Sequence, residues 1–271
     1  MCLVKRLNTV PSDPDGGSPE REGGADWFAD EGFWTDYAPL LFDGDHWAEA
    51  PVVVDAIQKL TGVTAGSAVL DMCCGTGRHA LEFAARGFRV TGVDITEPYL
   101  RAARESAEAM GLSVEFIQGD ARSWCRPGSF GLAVNLFTSF GYFPTKADDE
   151  LMLARIAESL APGGVLVVEV VGKETAARDF IDGEWFERDG RLVLTEFQVV
   201  GAWEGLRNRW IVVDGAHRVD HSWVQRLYSG TELRDSMLRS GFASVELFGT
   251  YAGAPYDDKA ERLVAVGRKP A

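Results

Sequence analysis

Val69-Leu70-Asp71-Met72-Cys73-Cys74-Gly75-Thr76-Gly77-Arg78 is followed along the chain by Gly92-Val93-Asp94 and then by Gln118-Gly119-Asp120. The apolar run ending in Asp71 reads as a buried strand, and the small residues after it form a tight turn in which backbone can approach a ligand closely. A helix follows at once, with Leu81, Phe83, Ala84 and Ala85 on its apolar face and Gly87 placed to end it in the left-handed conformation. A second short strand, Arg89-Val90-Thr91-Gly92-Val93, stops at Asp94. The result is a β-α-β unit with an acid at the tip of each strand.

An acid about 20 residues past a glycine-rich turn is placed to accept both hydrogen bonds of a ribose diol. Asp94 takes that role. The turn lacks the third glycine of a dinucleotide site, has Cys73 where the first would fall, and has no Lys-Ser/Thr pair to hold a triphosphate. Asp71 adds negative charge beside the turn, which attracts a cationic amine and repels a phosphate. These demands describe a nucleoside ligand with an amine and no pyrophosphate, and S-adenosylmethionine meets them all.

With these residues in place the chain resembles the class I S-adenosylmethionine-dependent methyltransferases over roughly residues 27–271, in particular the bacterial small-molecule branch with its Leu-Asp-x-Cys-Cys-Gly-x-Gly-Arg-His turn. The resemblance implies a Rossmann-like α/β fold with seven strands, mostly parallel and the last antiparallel. It also implies that Asp71, Met72, Cys73, Gly75 and Gly77 contact the methionine end of the cofactor, Asp94 and Ile95 the ribose, and Asp120 and Ala121 the adenine. Asn135 to Gly141, including Leu136, fall beside the methyl group, and Leu160-Ala161-Pro162-Gly163-Gly164 matches the turn into the fifth strand of the family. The chain departs from the pattern twice: Cys73 stands for the usual glycine, and Phe130-Gly131 lacks the acid that often follows the aromatic residue at the start of the fourth strand.

A chain of 271 residues with 46% hydrophobic content can bury a full core in one elaborated domain, or in a domain with an appended subdomain, and a formal net charge of −14 argues against a polyanionic substrate. The cysteines at 2, 73, 74 and 125 have neither metal-ligand nor redox spacing, so reduced thiols and a cytoplasmic location are expected, with no metal. Lys5 and Arg6 sit in a short apolar patch that is no convincing signal peptide, and no apolar run is long enough for a bilayer. The expected state is a monomer or homodimer without nucleic-acid or membrane partners.

The expected domain order is a disordered tail over 1–26, rich in Pro, Gly, Ser and acids, then an N-terminal helical lid over 27–66. The cofactor-binding core spans 67–171, an antiparallel β insertion on the acceptor side spans 172–228, and residues 229–271 complete the core sheet. The lid is dense in aromatics, and Tyr37 is its candidate cofactor contact because a phenol keeps a polar tip at a pocket wall; a helix is expected from about Pro51 to Leu60. In the core, Thr96-Glu97-Pro98 opens a helix that Gly111 ends, and Lys146 to Leu160 forms another. In the insertion, Arg191 to Val200, Arg207 to Val213 and His217 to Tyr228 read as strands, the last two joined at Asp214-Gly215. Ser229-Gly230-Thr231-Glu232 offers a capping box.

Methyl transfer from a sulfonium is a direct displacement, in which alignment alone supplies on the order of 7–11 kcal/mol. A neutral amine needs no further activation, whereas a hydroxyl benefits from a general base. Tyr142, just past the fourth core strand, is the first candidate to position an acceptor. Alternation along the last inserted strand puts His221 and Trp223 on one face and Arg226 with Tyr228 on the other. His221 is therefore a candidate base, Trp223 a pocket wall, and Arg226 a rival acceptor ligand. The leading expectation is methylation of an N or O atom of a small metabolite. The alternatives are an RNA or protein methyltransferase and a non-catalytic nucleoside-binding module.

Overall fold

A computed structural model describes Arg21–Glu22 and residues 27–271. Ahead of the core lie the two-residue strand β1 (Arg21–Glu22), a 3-10 turn at Trp27–Ala29, and helices α1 (Glu31–Leu41) and α2 (Gly44–Thr61). The core alternates β2 (Ala68–Met72), α3 (Arg78–Ala85), β3 (Arg89–Asp94), α4 (Glu97–Ala109), β4 (Val114–Gln118), β5 (Phe130–Asn135), α5 (Lys146–Ser159) and β6 (Leu160–Val170). The short α6 (Lys173–Arg178) leads to β7 (Gly183–Arg188), β8 (Arg191–Val200), β9 (Gly205–Asp214) and β10 (His217–Arg226). α7 (Gly230–Arg239), β11 (Ser244–Phe248) and β12 (Leu263–Arg268) then return to the core.

Seven strands form one sheet in the order β11-β12-β6-β5-β2-β3-β4, with β12 antiparallel to both neighbours and β2 through β6 parallel. The strands read as near-continuous apolar runs because helices cover both faces. Val69 packs with α2, α3 and α4 through Val54, Ile57, Leu81 and Leu100, while its neighbour Leu70 packs on the other face with Met152, Ile156, Leu233 and Met237 of α5 and α7. The order reverses between β3-β2 and β5-β6, so a crevice opens at the carboxyl ends of β2 and β5, where such sheets bind ligands.

The insertion is a meander of four antiparallel strands in the order β10-β9-β8-β7. Its inner face, with Val193, Val212, Trp210, Val219 and Trp223, packs against Trp27, Phe28, Phe33, Tyr37 and Leu40 of the N-terminal segment. The segment and the insertion therefore share one aromatic core. β1 adds a fifth strand, Arg21 pairing parallel with His221 and Glu22 with Ser222. The rest of the expected tail lies outside the described residues.

Three local expectations need correction. β7 was not anticipated, because Glu184-Trp185-Phe186-Glu187 does not alternate cleanly. The helix expected from Pro51 begins seven residues earlier at Gly44, where the Asp43 side chain caps it by accepting from the His46 N–H at 3.0 Å; Pro51 lies inside it, losing one helical hydrogen bond. Strand β6 already starts at Leu160, so the expected turn is part of its pairing with Phe130. The capping box at Ser229 is complete, with Glu232 N–H donating to the Ser229 hydroxyl and Ser229 N–H donating to the Glu232 carboxylate.

Candidate active site

The crevice is a cleft of about 1050 Å³, open mouth included. Its floor is the turn after β2, with Asp71, Cys73, Cys74, Gly75, Arg78 and His79. One edge is the end of β3 and start of α4, with Asp94, Ile95, Thr96 and Tyr99; the far end is Gly119, Asp120 and Ala121. Leu136, Phe137, Ser139, Tyr142 and Phe143 follow β5 along the other side, and Phe28, Trp34, Leu41 and Phe42 form the roof.

Backbone geometry explains the floor. Cys73, at the position usually held by glycine, has φ 62°, a left-handed conformation that a β-carbon disfavours. Gly77 has φ 82°, and a β-carbon there would lie 2.9 Å from the Phe116 ring and 3.0 Å from Ala103, so the turn into α3 needs glycine. The Cys73 and Cys74 N–H groups both donate to the Val93 carbonyl, at 2.7 and 3.1 Å, which ties the turn to β3.

Asp71 is buried at 2% exposure, and one of its carboxylate oxygens has no partner. Burial, and next the nearby charge of Asp94, push its carboxyl up to about 7. A buried carboxylate oxygen without a donor is a site for a cation, and an α-ammonium group supplies one. Asp94 is also raised by burial, although its two oxygens accept from the N–H groups of Gly75 at 2.8 Å and Thr96 at 2.9 Å. Asp120 is held below the ordinary range by Arg122, whose guanidinium donates to both oxygens and lies over the Phe28 and Phe143 rings. Ile95, Ala121 and Phe143 provide apolar surface between these acids for a flat base. The donor set fits S-adenosylmethionine, with Asp71 toward the amine and Asp94 toward the ribose.

The far wall is aromatic. Tyr142 packs against Trp27 at 4.8 Å between ring centroids and Trp34 at 6.0 Å, and burial pushes its phenol up. Trp34 is fixed at both ends: its indole N–H donates to the Phe28 carbonyl at 2.7 Å, and its own carbonyl accepts from the Tyr99 hydroxyl at 2.6 Å. The loop carrying Tyr142 is gripped by the end of β10. Gln225 donates to the Thr138 carbonyl, Arg226 N–H to the Gly141 carbonyl and the Arg226 guanidinium to the Pro144 carbonyl. Gly141 has φ 95° and no room for a β-carbon against the Arg226 carbonyl.

Of the residues singled out from sequence, the structure brings Asp71, Cys73, Gly75, Asp94, Ile95, Asp120, Ala121, Leu136 and Tyr142 around the cleft. Six lie elsewhere. Met72 points into the core, fully buried, and offers only its carbonyl to Asn135. Gly77 shapes the turn without lining the cleft. Tyr37 is on the α1 face that meets the insertion, its hydroxyl donating to the Trp210 carbonyl at 2.6 Å, while Trp34 one turn earlier reaches the cleft. His221 faces the same helix, 3.3 Å from the Asp36 carboxylate and edge-on to Phe33 and Tyr37. Trp223 packs on Trp27, Phe33 and Trp210. Arg226 pairs at 3.1 Å with the fully buried Asp149, which also accepts from Tyr228 at 2.7 Å. That pair ties β10 to α5, and Arg226 is not among the residues lining the cleft.

Sequence reasoning missed Arg78, Phe28, Trp34 and Phe42 as individual contacts, although the aromatic density of the segment marked it as a whole. His79 lines the cleft floor but is buried at 7% exposure, and burial lowers its imidazole to about 3.

Residues 69–164 match a family described as a methyltransferase domain. Over 150 residues the chain is 34% identical to dTDP-3-amino-3,4,6-trideoxy-alpha-D-glucopyranose N,N-dimethyltransferase of Streptomyces venezuelae, covering 55% of this chain and 61% of that protein's length. The structure resembles Streptomyces venezuelae DesVI with a TM-score of 0.65 at 28% identity, covering 89% of this chain and 99% of the other. It also resembles SAM-bound CalS10, an amino pentose methyltransferase from Micromonospora echinaspora, with a TM-score of 0.65 at 26% identity, covering 88% and 96%. Residues 69–164 therefore form a methyltransferase domain, and in fold and in the acids around its cleft the chain is similar to S-adenosylmethionine-dependent methyltransferases, with S-adenosylmethionine as the cofactor.

Proposed function

We propose that the chain methylates an amine nitrogen on a small sugar-derived acceptor. The observation that carries this reading is the group nearest the open side of β5: Tyr142, a phenol whose proton is held firmly by burial, set in an aromatic wall with Trp34 and Phe143. Such a phenol orients an acceptor by hydrogen bonding and does not remove its proton at neutral pH. His221, the other candidate for a base, is turned to Asp36 behind that wall. A neutral amine needs orientation alone, whereas a sugar hydroxyl needs a base. The amino-sugar acceptors named for the relatives are consistent with this choice.

S-adenosylmethionine supplies the electrophilic methyl group when bound. Asp71 holds the amine, Asp94 the ribose diol, and the roof of Trp34, Leu41 and Phe42 excludes water. The insertion acts on the acceptor side by carrying the far wall and by gripping the Tyr142 loop. Free thiols at Cys73, Cys74 and Cys125 support a cytoplasmic location, and the net charge of −14 favours a small acceptor over a nucleic acid.

Steady-state release of S-adenosylhomocysteine with a dTDP-3-amino sugar, compared with its 3-hydroxy analogue, tests the proposal. The amine should turn over, with a rate that rises with pH to a plateau set by its own ionisation, and the alcohol should not. Equal rates, or turnover of the alcohol alone, would refute it.

A further inference from the structure

Two consecutive residues after β5, Phe137 and Thr138, have φ 58° and 57°. Neither is a glycine, and left-handed pairs of side-chain-bearing residues persist only where surrounding structure holds them. Both N–H groups end on one residue. Phe137 N–H donates to the Glu169 carboxylate at 2.7 Å, and Thr138 N–H donates to the Glu169 carbonyl at 3.2 Å. Glu169 lies near the end of β6 at 4% exposure, and its other carboxylate oxygen is 3.6 Å from the Arg262 guanidinium. The Phe137 ring is in turn fixed by Arg78, 4.3 Å above its centroid, and by the edge of His46 at 4.9 Å. Leu136, Phe137, Ser139 and Tyr142 of this same loop line the cleft.

We propose that Glu169 is a positioning residue: its buried carboxylate, by accepting the Phe137 N–H, locks the left-handed pair and thereby sets the cofactor-facing and acceptor-facing side chains of the loop. The inference deepens the reading of the cleft as a methyl-transfer site and rests on it. A cofactor that fits only the locked loop binds with an apparent affinity reduced by the fraction of molecules in which the loop is locked.

Two conservative substitutions separate this role from charge balance with Arg262. Glu169→Gln keeps length, shape and an acceptor oxygen but loses the charge. Glu169→Asp keeps the charge but draws the oxygens back by one methylene from the Phe137 N–H. If the carboxylate positions the loop, Glu169→Gln should bind S-adenosylhomocysteine within about threefold of wild type, and Glu169→Asp should weaken it about tenfold or more. Hydrogen exchange over residues 136–143 should accelerate in Glu169→Asp and stay near wild type in Glu169→Gln, with β2 and β3 unchanged in both. The reverse order would assign Glu169 to balancing Arg262, and equal behaviour of the two variants, wild-type or impaired, also overturns the proposal. Failure of the wild type to bind S-adenosylhomocysteine would instead sink the reading of the cleft itself.

Discussion

Replacing Asp94 by alanine removes two things at once. The carboxylate braces the floor of the cleft by accepting the Gly75 and Thr96 N–H groups, and it is the group placed to accept the ribose diol. Hydrogen bonds to a charged group are worth about 1.5–3 kcal/mol, but burial of the charge offsets part of the brace, so the stability loss should be about 1–3 kcal/mol. For a chain of this size that lowers the melting temperature by roughly 2–5 °C. Loss of the diol acceptor adds about 1.5–3 kcal/mol to binding, weakening S-adenosylhomocysteine roughly 10- to 150-fold. Scanning fluorimetry reads the first effect and titration calorimetry the second, and Asp94→Asn, which keeps one acceptor oxygen, should fall between. If Asp94→Ala lowers the melting temperature yet binds S-adenosylhomocysteine within about threefold of wild type, Asp94 braces the turn only and the ribose assignment is wrong.

Asp71 and Asp149 have folded pKa values raised to about 7 and about 6, so each contributes stability that is present at low pH and lost as pH rises through its folded value. Thermal unfolding of the cofactor-free protein should show wild type losing stability relative to Asp71→Asn between about pH 4 and about pH 7, while affinity for S-adenosylhomocysteine rises up to about pH 7 in wild type alone. Tyr142→Phe keeps the ring packing and should lower turnover of an amine acceptor about 5- to 30-fold, with S-adenosylhomocysteine affinity within about twofold. His221→Ala should cost about 2–3 kcal/mol in chemical denaturation and leave the shape of the pH–rate profile unchanged, since the ring is packed behind the wall. Arg226→Ala strands the buried Asp149 carboxylate with Tyr228 alone, and should destabilise by about 3–5 kcal/mol.

The parallel core was legible because burial on both faces leaves Ala68–Met72 and Arg89–Asp94 as apolar runs that stop at acids, and both acids line the cleft. Asp71, Asp94 and Asp120 are positioned by local chain geometry, which sequence spacing reports well. Tyr37, His221 and Arg226 depend on something that spacing does not report. Alternation along β10 separates its two faces, but only tertiary packing decides that the His221 face meets α1 rather than the cleft. The start of α2 was misplaced because Pro51 resembles a first-turn proline, while packing of Val53, Val54 and Ile57 sustains the helix around it. The left-handed pair Phe137–Thr138 was invisible, since neither residue advertises positive φ and the group that holds it lies on another strand.

The proposed function turns on methyl transfer to an amine in the cleft between β2 and β5. Incubating the full chain with S-adenosylmethionine carrying a deuterated methyl group and a dTDP-3-amino sugar, and locating the label by mass spectrometry, tests it most directly. Label should appear on the acceptor nitrogen, with S-adenosylhomocysteine formed in equal amount and both products lost together in Asp71→Ala/Asp94→Ala. Label on a hydroxyl oxygen, or undiminished transfer in that double variant, would contradict it.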